Sequence, residues 1–551
     1  MMHVRNGAPA QLHVPDPLIA EAFGHAMHDH VLRFPNPEIA PWYWGIQANH
    51  GDLSRATIWP GLDDHETGHA LMWGGHLVEH LGYWDYVKAL QHINGQIPYR
   101  VELDDSRVPK DGMSDIFIGW RGRAKFMSVF PGPSLFVLGP STWIKEGYDL
   151  FRFTQDLDWL RANYDSIDMA ATWIARLGDE DGLIGCGSYY QDLPPRLEFD
   201  GITTGYGWQN YTQTAELAER IGRDDRAAHW RKMAEFIRAG FQKRFWLGEQ
   251  CAECIHPFNG PVTHGMGDVD WMAQAMNLVE PQHDAILWEK LARSERLYYG
   301  IMPTGVCEKP ETYLPWQSMS KYHLRRAGGG DTGLFKDVAA MGRVWFIEAM
   351  TRHKRGDGDG LADTIRRVAT LGKAYNWVWW ERYARMNMPP GLVWDDQEKF
   401  RADLARNNVK TPPMRFPEHG CIGHGSIYYG EWPANLVRIC CQWLAGVDVA
   451  VDGALTLTPA APRDYFEQGF GLDAALLGRR VEVRYRGDGA QLKVEAGPAW
   501  NVRVRTAPWS ATGAEPVVEV DGRRVPAVRD NAGLSFMLPA TTESIHCTLT
   551  I

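Results

Sequence analysis

Two groupings of residues in this 551-residue chain could do chemistry. The first lies in IWPGLDDHETGHALMWGG, which holds His65-Glu66-Thr67-Gly68-His69. On a helix, histidines four apart share a face and could hold zinc while the intervening glutamate acts as base. His76, Glu79 or His80 could be a third ligand, but Gly68, Gly74 and Gly75 weaken the helix that a zinc peptidase would need there. The second grouping sets amide or carboxylate side chains beside aromatic rings: Trp42-Tyr43-Trp44 with Gln47 and Asn49-His50, Trp208-Gln209-Asn210, Asp268 and Asp270-Trp271, and Trp316-Gln317. A carboxylate accepts two vicinal hydroxyls while an indole covers the apolar face of a sugar ring, so these residues are candidate monosaccharide contacts. Ordinary packing explains each cluster singly; their number, and 24 tryptophans in all, favour a sugar pocket. The sequence contains no phosphate-binding loop, dinucleotide glycine fingerprint or nucleophile elbow.

The elements that must position these residues fall into two regimes. From about residue 16 to 448, apolar residues recur at helical spacing. Helices are expected over Tyr148–Leu160 and Asn163–Leu177, then over Tyr211–Ile221 and Ala227–Phe245. A third unit is expected from near Leu334 through Trp345, Ile347 and Ala349 to the GDGDG turn at 356–360. Paired helices without strong strands between them suggest a bundle, a solenoid or a closed α/α toroid. Long aromatic loops are expected near 186–210, 255–270, 300–330 and 387–432, on one rim of the helical scaffold. After Asp448 the texture changes to short alternating runs such as RRVEVRYRG and NVRVRT, with Val520-Asp521-Gly522-Arg523 reading as a tight hairpin. The expected division is a helical catalytic domain over 1–448 and a β-sandwich over 449–551 that packs rather than reacts.

Bulk properties exclude several classes of function. Net charge is −11 and no cluster of Lys and Arg appears, which argues against nucleic-acid partners. No run approaches the roughly 18 apolar residues of a membrane span. The opening MMHVRNGAPAQLHVPDP lacks the apolar core of a secretory signal, so a cytoplasmic location is expected. Eight scattered cysteines suggest reduced thiols.

Four segments, taken in order, carry a resemblance over roughly residues 40–490. They are FPGPSLFVLGPSTWIKEGYDLFRFTQDLDWLRANYDSIDMAATWIARLGDEDGLI, GSYYQDLPPR with GWQNYTQTAELAERIGRDDRAAHWRKMAEFIRAGF, WVWWERY, and HGSIYYGEWPANLVRICCQWLAGVDVAVDGALTLTP. Together they resemble the six-hairpin glycosidase superfamily, which includes α-L-rhamnosidases, glucoamylases and processing α-glucosidases. The resemblance implies an (α/α)6 toroid. It also implies an exo-acting, inverting hydrolysis of a terminal, α-linked sugar on an oligosaccharide or glycoside, with no cofactor or metal.

Such chemistry needs one protonated carboxyl and one ionised carboxyl, about 6.5–9.5 Å apart with a water between. By resemblance the acid is Asp192, in the loop GSYYQDLPPR, where Tyr189, Tyr190 and Leu193 could desolvate it. The base is Glu381, in WWERY, although the interval from Glu381 to Ser426 is longer than related enzymes show. Glu431, in YYGEWP at a helix start, is therefore an alternative catalytic group, as is Asp64. The resemblance also makes the acid-rich stretch with Asp63, Asp64 and Glu66 a source of ligands to sugar hydroxyls. Trp44, Trp208, Gln209, Asn210, Asp270, Trp316 and His424 complete the expected substrate contacts. A sugar phosphorylase on the same scaffold is the other reaction considered, together with a carbohydrate-binding protein that lacks aligned carboxylates.

Overall fold

A computed structural model describes residues 6–45, 57–61, 67–98, 100–102, 116–117, 123–125, 137–185, 199–252, 254–256, 260–262, 268–293, 307–308, 338–340, 345–374, 376–377, 381–384, 414–416, 421–424, 430–487, 489–505, 516–530 and 533–550. Its described helices are α1 (Pro17–His25), α2 (Ala70–Trp73), α3 (Leu77–Lys88), α4 (Leu138–Thr154), α5 (Leu157–Ala175), α6 (Gly201–Arg220) and α7 (Asp224–Phe245). They continue with α8 (Asp268–Ala275), α9 (Pro281–Arg293), α10 (Phe346–Arg355), α11 (Gly358–Ala374), α12 (Glu431–Arg438) and α13 (Arg463–Gln468). No helix among the described residues is long and apolar enough to cross a membrane.

Helix burial divides into two patterns. In α4 and α12 nearly every residue is buried, polar ones included, whereas α5 and α7 bury one apolar face and expose the other. Packing runs from α3 to α4, on to α6, α8 and α10, then through the π-turn extension of α12 (Ile439–Leu444); α12 itself returns to α2. The connections are asymmetric. Only residues 155–156 join α4 to α5, residues 221–223 join α6 to α7, and residues 356–357 join α10 to α11. The connections that enter α2, α4, α6, α10 and α12 are long and carry strands. Long segments therefore collect at the N-terminal ends of the inner helices, the end at which a site can be built.

Local chemistry explains the boundaries. Asp156 caps α5 by accepting from the Asp158 and Trp159 amides, and Gln155 before it turns left-handed at φ 51°. The expected helix Tyr148–Leu160 thus crosses a real break: a side-chain cap satisfies two of the amides that the helix start leaves open, which periodicity does not report. Asp200 caps α6 in the same way, starting it ten residues before Tyr211 and carrying Trp208, Gln209 and Asn210 from an expected loop onto a helix. Asp268 and Asp270 likewise lie on α8. The unit expected from near Leu334 begins only at Phe346, and Val338–Ala340 is a strand.

The absence of strands from the helical region is also corrected. A five-stranded antiparallel sheet, in the order 414–416, 421–424, 381–384, 338–340 and 307–308, draws on the connections before α10 and before α12. Four-stranded and three-stranded sheets lie in earlier connections. Near the C-terminus are two larger sheets, of seven and five strands. The expected hairpin is present: Val517–Val520 pairs with Arg523–Arg524 across Asp521 (φ 48°) and Gly522 (φ 74°), a turn with both central residues left-handed. Two features depart from the expected boundary at 449. Val447–Val449 already forms a strand, and Gln11–His13 pairs with Phe470–Leu476 of the seven-stranded sheet. The described cysteines Cys251, Cys254, Cys440, Cys441 and Cys547 form no disulfide with one another.

His30, in the π turn that extends α1, packs against α12, and burial lowers its pKa from 6.5 to about 4. Because the folded value lies below the unfolded one, protonation favours the unfolded chain. Stability is complete above about pH 6.5 and falls as pH drops toward 4. The loss expected across that window is on the order of 3 kcal/mol. Urea unfolding of the wild type and of His30→Gln between pH 4 and 7 checks this: the variant should lose the His30 part of the slope.

Candidate functional site

The inner helices line a polar cavity of about 200 Å³. Helix α4 supplies Lys145, Glu146, Tyr148, Asp149 and Arg152 to its wall. These positions share one face because residues three, four and seven apart lie on the same side of a helix. Helix α6 adds Gln209 and Gln213, and α10 adds Met350. Arg438, Gln442 and Trp443 come from α12 and its extension, and His69 from just before α2. Lys145, Gln209 and Arg438 each stand seven or eight residues into their helices. At about 1.5 Å per residue, the cavity lies roughly 10–12 Å below the end where the long connections enter.

Its charges are tightly coordinated. Arg152 donates to Asp149 and to the Val449 carbonyl, both at 2.6 Å, and forms a further ion pair with Asp448. Burial alone would lower its pKa, yet Asp448 and Asp149 hold it above the ordinary arginine value. Arg438 donates to Gln442 at 3.0 Å and faces the Phe346 and Trp443 rings; burial lowers its pKa. Burial, reinforced by Arg438, holds Lys145 well below the ordinary lysine range, and its ammonium group lies 4.3 Å from the Tyr206 ring centre. Tyr148 donates to Glu216 at 2.5 Å, and burial raises its pKa well above the usual phenol value. His80 Nε2 meets Glu146 Oε2 at 2.8 Å, with both side chains almost fully enclosed. Gly68 presses on this pair: a Cβ there would stand 2.8 Å from His80 Cε1 and 2.9 Å from Glu146 Oε1.

Three buried wall atoms, His69 Nε2, Gln209 Oε1 and Gln213 Oε1, have no hydrogen-bond partner among the described residues. Buried polar atoms of this kind need a partner, and a cavity lined by both donors and acceptors suits a small polyhydroxylated molecule. Burial keeps His69 well below its ordinary pKa, hence neutral. Sequence reasoning quoted the α4 segment but passed over Lys145, Glu146 and Asp149. Charges spaced along one helix face ordinarily mark a solvated side; the only signal here was that α4 is also rich in Trp, Ile, Leu and Phe elsewhere.

The expected site residues fall in several places. Gln209 lines the cavity. Asn210 is fully buried and its side chain exchanges hydrogen bonds with Ser141, joining α6 to α4. Trp208 is half-buried beside it on α6. Trp44 is wholly buried, with its ring 4.6 Å from that of Tyr83 and 5.4 Å from that of His80. Asp270 accepts from the Cys251 amide at 2.7 Å and from Lys290 at 2.9 Å, and burial raises its pKa. Glu431 opens α12 and is fully buried. Glu381 and His424 are described in their backbone: Glu381–Ala384 pairs antiparallel with Cys421–His424, setting Glu381 opposite His424. Asp63, Asp64, Glu66, Asp192 and Trp316 lie outside the described residues.

The interval between Glu381 and α12 is long in sequence, but strand 421–424 returns alongside 381–384 and ends seven residues before Glu431. The helical premise of a zinc motif fares differently. Thr67–His69 form a turn and α2 begins only at Ala70, so the described part of HETGH is not a helix that shares a face. Of the three nominated third ligands, His76 and Glu79 stand 4.0 Å apart and His80 is engaged by Glu146. Among the described residues, no group of three or more His, Cys, Asp or Glu could hold a metal ion.

Buried inner helices, strand-bearing connections at one end and appended C-terminal sheets define a rhamnosidase-like glycosidase fold. The match to the α-L-rhamnosidase from Dictyoglumus thermophilum has a TM-score of 0.56 and 12% identity, and covers 100% of this chain and 51% of that one. That to the Streptomyces avermitilis α-L-rhamnosidase, solved with L-rhamnose, has a TM-score of 0.52 and 12% identity, covering 99% and 42%. That to the rhamnosidase of Bacillus sp. GL1 has a TM-score of 0.55 and 13% identity, covering 87% and 40%. The chain thus spans about half, or less, of the length of these structures. No family model and no curated protein sequence matches it.

Removing the imidazole in His80→Ala leaves the Glu146 carboxyl buried without this partner, and should lower unfolding free energy by about 3–5 kcal/mol. The double variant His80→Leu with Glu146→Met should be markedly more stable than His80→Ala, as read by urea unfolding at pH 7.

Proposed function

We propose that this chain is a glycoside hydrolase that removes a terminal α-linked sugar with inversion, and that an α-L-rhamnoside is the first substrate to test. The observation that carries this reading is likeness of fold, along the whole chain, to α-L-rhamnosidases. The inner helices are taken as an (α/α)6 toroid, and residues 449–551 together with the strand Gln11–His13 as a β-sandwich domain. The polar cavity supports the reading independently. Its unpartnered His69, Gln209 and Gln213 atoms suit the hydroxyls of a sugar bound end-on from the rim.

In this mechanism Asp192 protonates the glycosidic oxygen as the bond to the anomeric carbon breaks. Glu381 takes a proton from water on the opposite face, and that water attacks the anomeric carbon, so an α-glycoside first yields the β sugar. The pairing of 381–384 with 421–424 supports Glu381 as base by setting it opposite His424 in the strand register. Asp64 and Glu431 are the alternative carboxyls, while Asp63 and Glu66 are proposed to bind hydroxyls with Trp208 and Trp316. A buried Asn210 bonded to Ser141 and a buried Asp270 bonded to Lys290 support packing roles for those two.

Glu381→Gln is expected to lower kcat on aryl α-L-rhamnosides by about 10²–10⁴-fold. Asp192→Asn should lose a similar factor on a poor leaving group, yet recover much of it on dinitrophenyl glycosides, which need no proton from the enzyme. NMR of the first-formed anomer reads the stereochemistry. Wild-type turnover in both variants, or no release from any aryl glycoside, would sink the assignment.

A further inference from the structure

The turn between α11 and the strand Glu381–Ala384 has an unusual occupant. Helix α11 closes with the Asn376 amide donating to the Lys373 carbonyl at 3.3 Å and the Trp377 amide donating to that of Gly372 at 2.5 Å. Both residues are left-handed, Asn376 at φ 53° and Trp377 at φ 61°. Asparagine is common in the first of these positions. A tryptophan in the second is not, because a Cβ in that region costs roughly 1–2 kcal/mol.

Contacts from the N-terminal helix hold it there. The Trp377 ring stacks on His25 with centroids 4.6 Å apart and planes at 18°. His25 is itself fixed by Asp29, with Nδ1 2.6 Å from the carboxylate. The Trp377 carbonyl accepts a hydrogen bond from the buried His30. Lys373, at the end of α11, pairs with Glu21 of α1 at 2.6 Å. Backbone strain maintained by outside contacts marks a conformation that the surrounding structure imposes. The strand that carries Glu381 starts four positions later. The direction in which the chain leaves Trp377 therefore acts on Glu381 across a reach of at most about 14 Å.

We propose that Trp377 is a positioning residue for Glu381. Its left-handed turn, clamped by His25 and His30, sets the departure of strand 381–384 and thereby its register opposite 421–424. The proposal rests on the assignment of Glu381 as base. It extends that assignment to His25 of α1 and His30 of its π-turn extension.

Trp377→Gly tolerates the left-handed turn but removes the ring that clamps it, whereas Trp377→Phe keeps a stacking ring. Amide hydrogen exchange on the full chain is read at 381–384 and at the inner helices, with kcat and KM on an aryl α-L-rhamnoside in parallel. In Trp377→Gly, exchange at 381–384 should rise by about tenfold or more while the inner helices keep wild-type protection. kcat should fall by about tenfold with KM within about threefold, as expected when a catalytic group is misaimed. Trp377→Phe should restore both. Wild-type protection at 381–384 in Trp377→Gly overturns the proposal, as does an increase spread evenly over the chain, which would mark a merely structural role. Glu381→Gln is the separate control. If it retains full turnover the functional assignment fails, while the exchange data still decide whether Trp377 sets the strand.

Discussion

Charge buried among the inner helices has to be neutralised where it sits, and much of the architecture follows from that requirement. A guanidinium removed from water costs several kcal/mol unless its donors are met. Arg152 meets that demand only where the end of α4, Asp448 and the Val449 carbonyl come together. Gln442 reinforces the same junction by donating to Asp448 at 2.7 Å. The docking of the helical region onto the first strand after it is therefore set by one side chain as much as by apolar contact. The His80–Glu146 pair does the same between α3 and α4, and it restricts the chain pressed against it to glycine at position 68.

The cavity wall and the long connections are ordered in different ways. Closely packed helices give the cavity wall a fixed geometry, as interiors at crystal-like density do not deform continuously. The long connections carry strands, and strand pairing supplies the order that loops lack. The five-stranded sheet draws on two separate connections and brings residues 381 and 424 together across more than forty positions of sequence. Pairing of main-chain groups, rather than proximity in sequence, establishes that neighbourhood.

Legibility in the sequence varied with the source of the signal. The hairpin at 520–523 was readable because two left-handed residues in succession demand Asp-Gly or a similar pair. Helix α7 was readable because one face is apolar and the other wet, whereas the buried start of α6 at Gly201–Gly207 was not. The strand Phe470–Leu476 was missed since six of its seven residues are buried and alternation disappears when both faces are covered. The polar wall of α4 was missed for a related reason: Lys145, Glu146 and Asp149 have the spacing of a solvated face, and nothing local says that the space they meet is enclosed.

The sequence by itself determined the helical and strand-rich regimes of the chain, the helix Asp224–Phe245 and the hairpin turn at 521–522, because these depend on residue type and short-range spacing. Only the tertiary structure decided which polar residues converge. Helix α4 becomes the wall of a cavity, Asn210 becomes a tie between helices, and Glu381 becomes a neighbour of His424. Each of these follows from contacts between segments remote along the chain, where burial and main-chain pairing, not local propensity, set the energy.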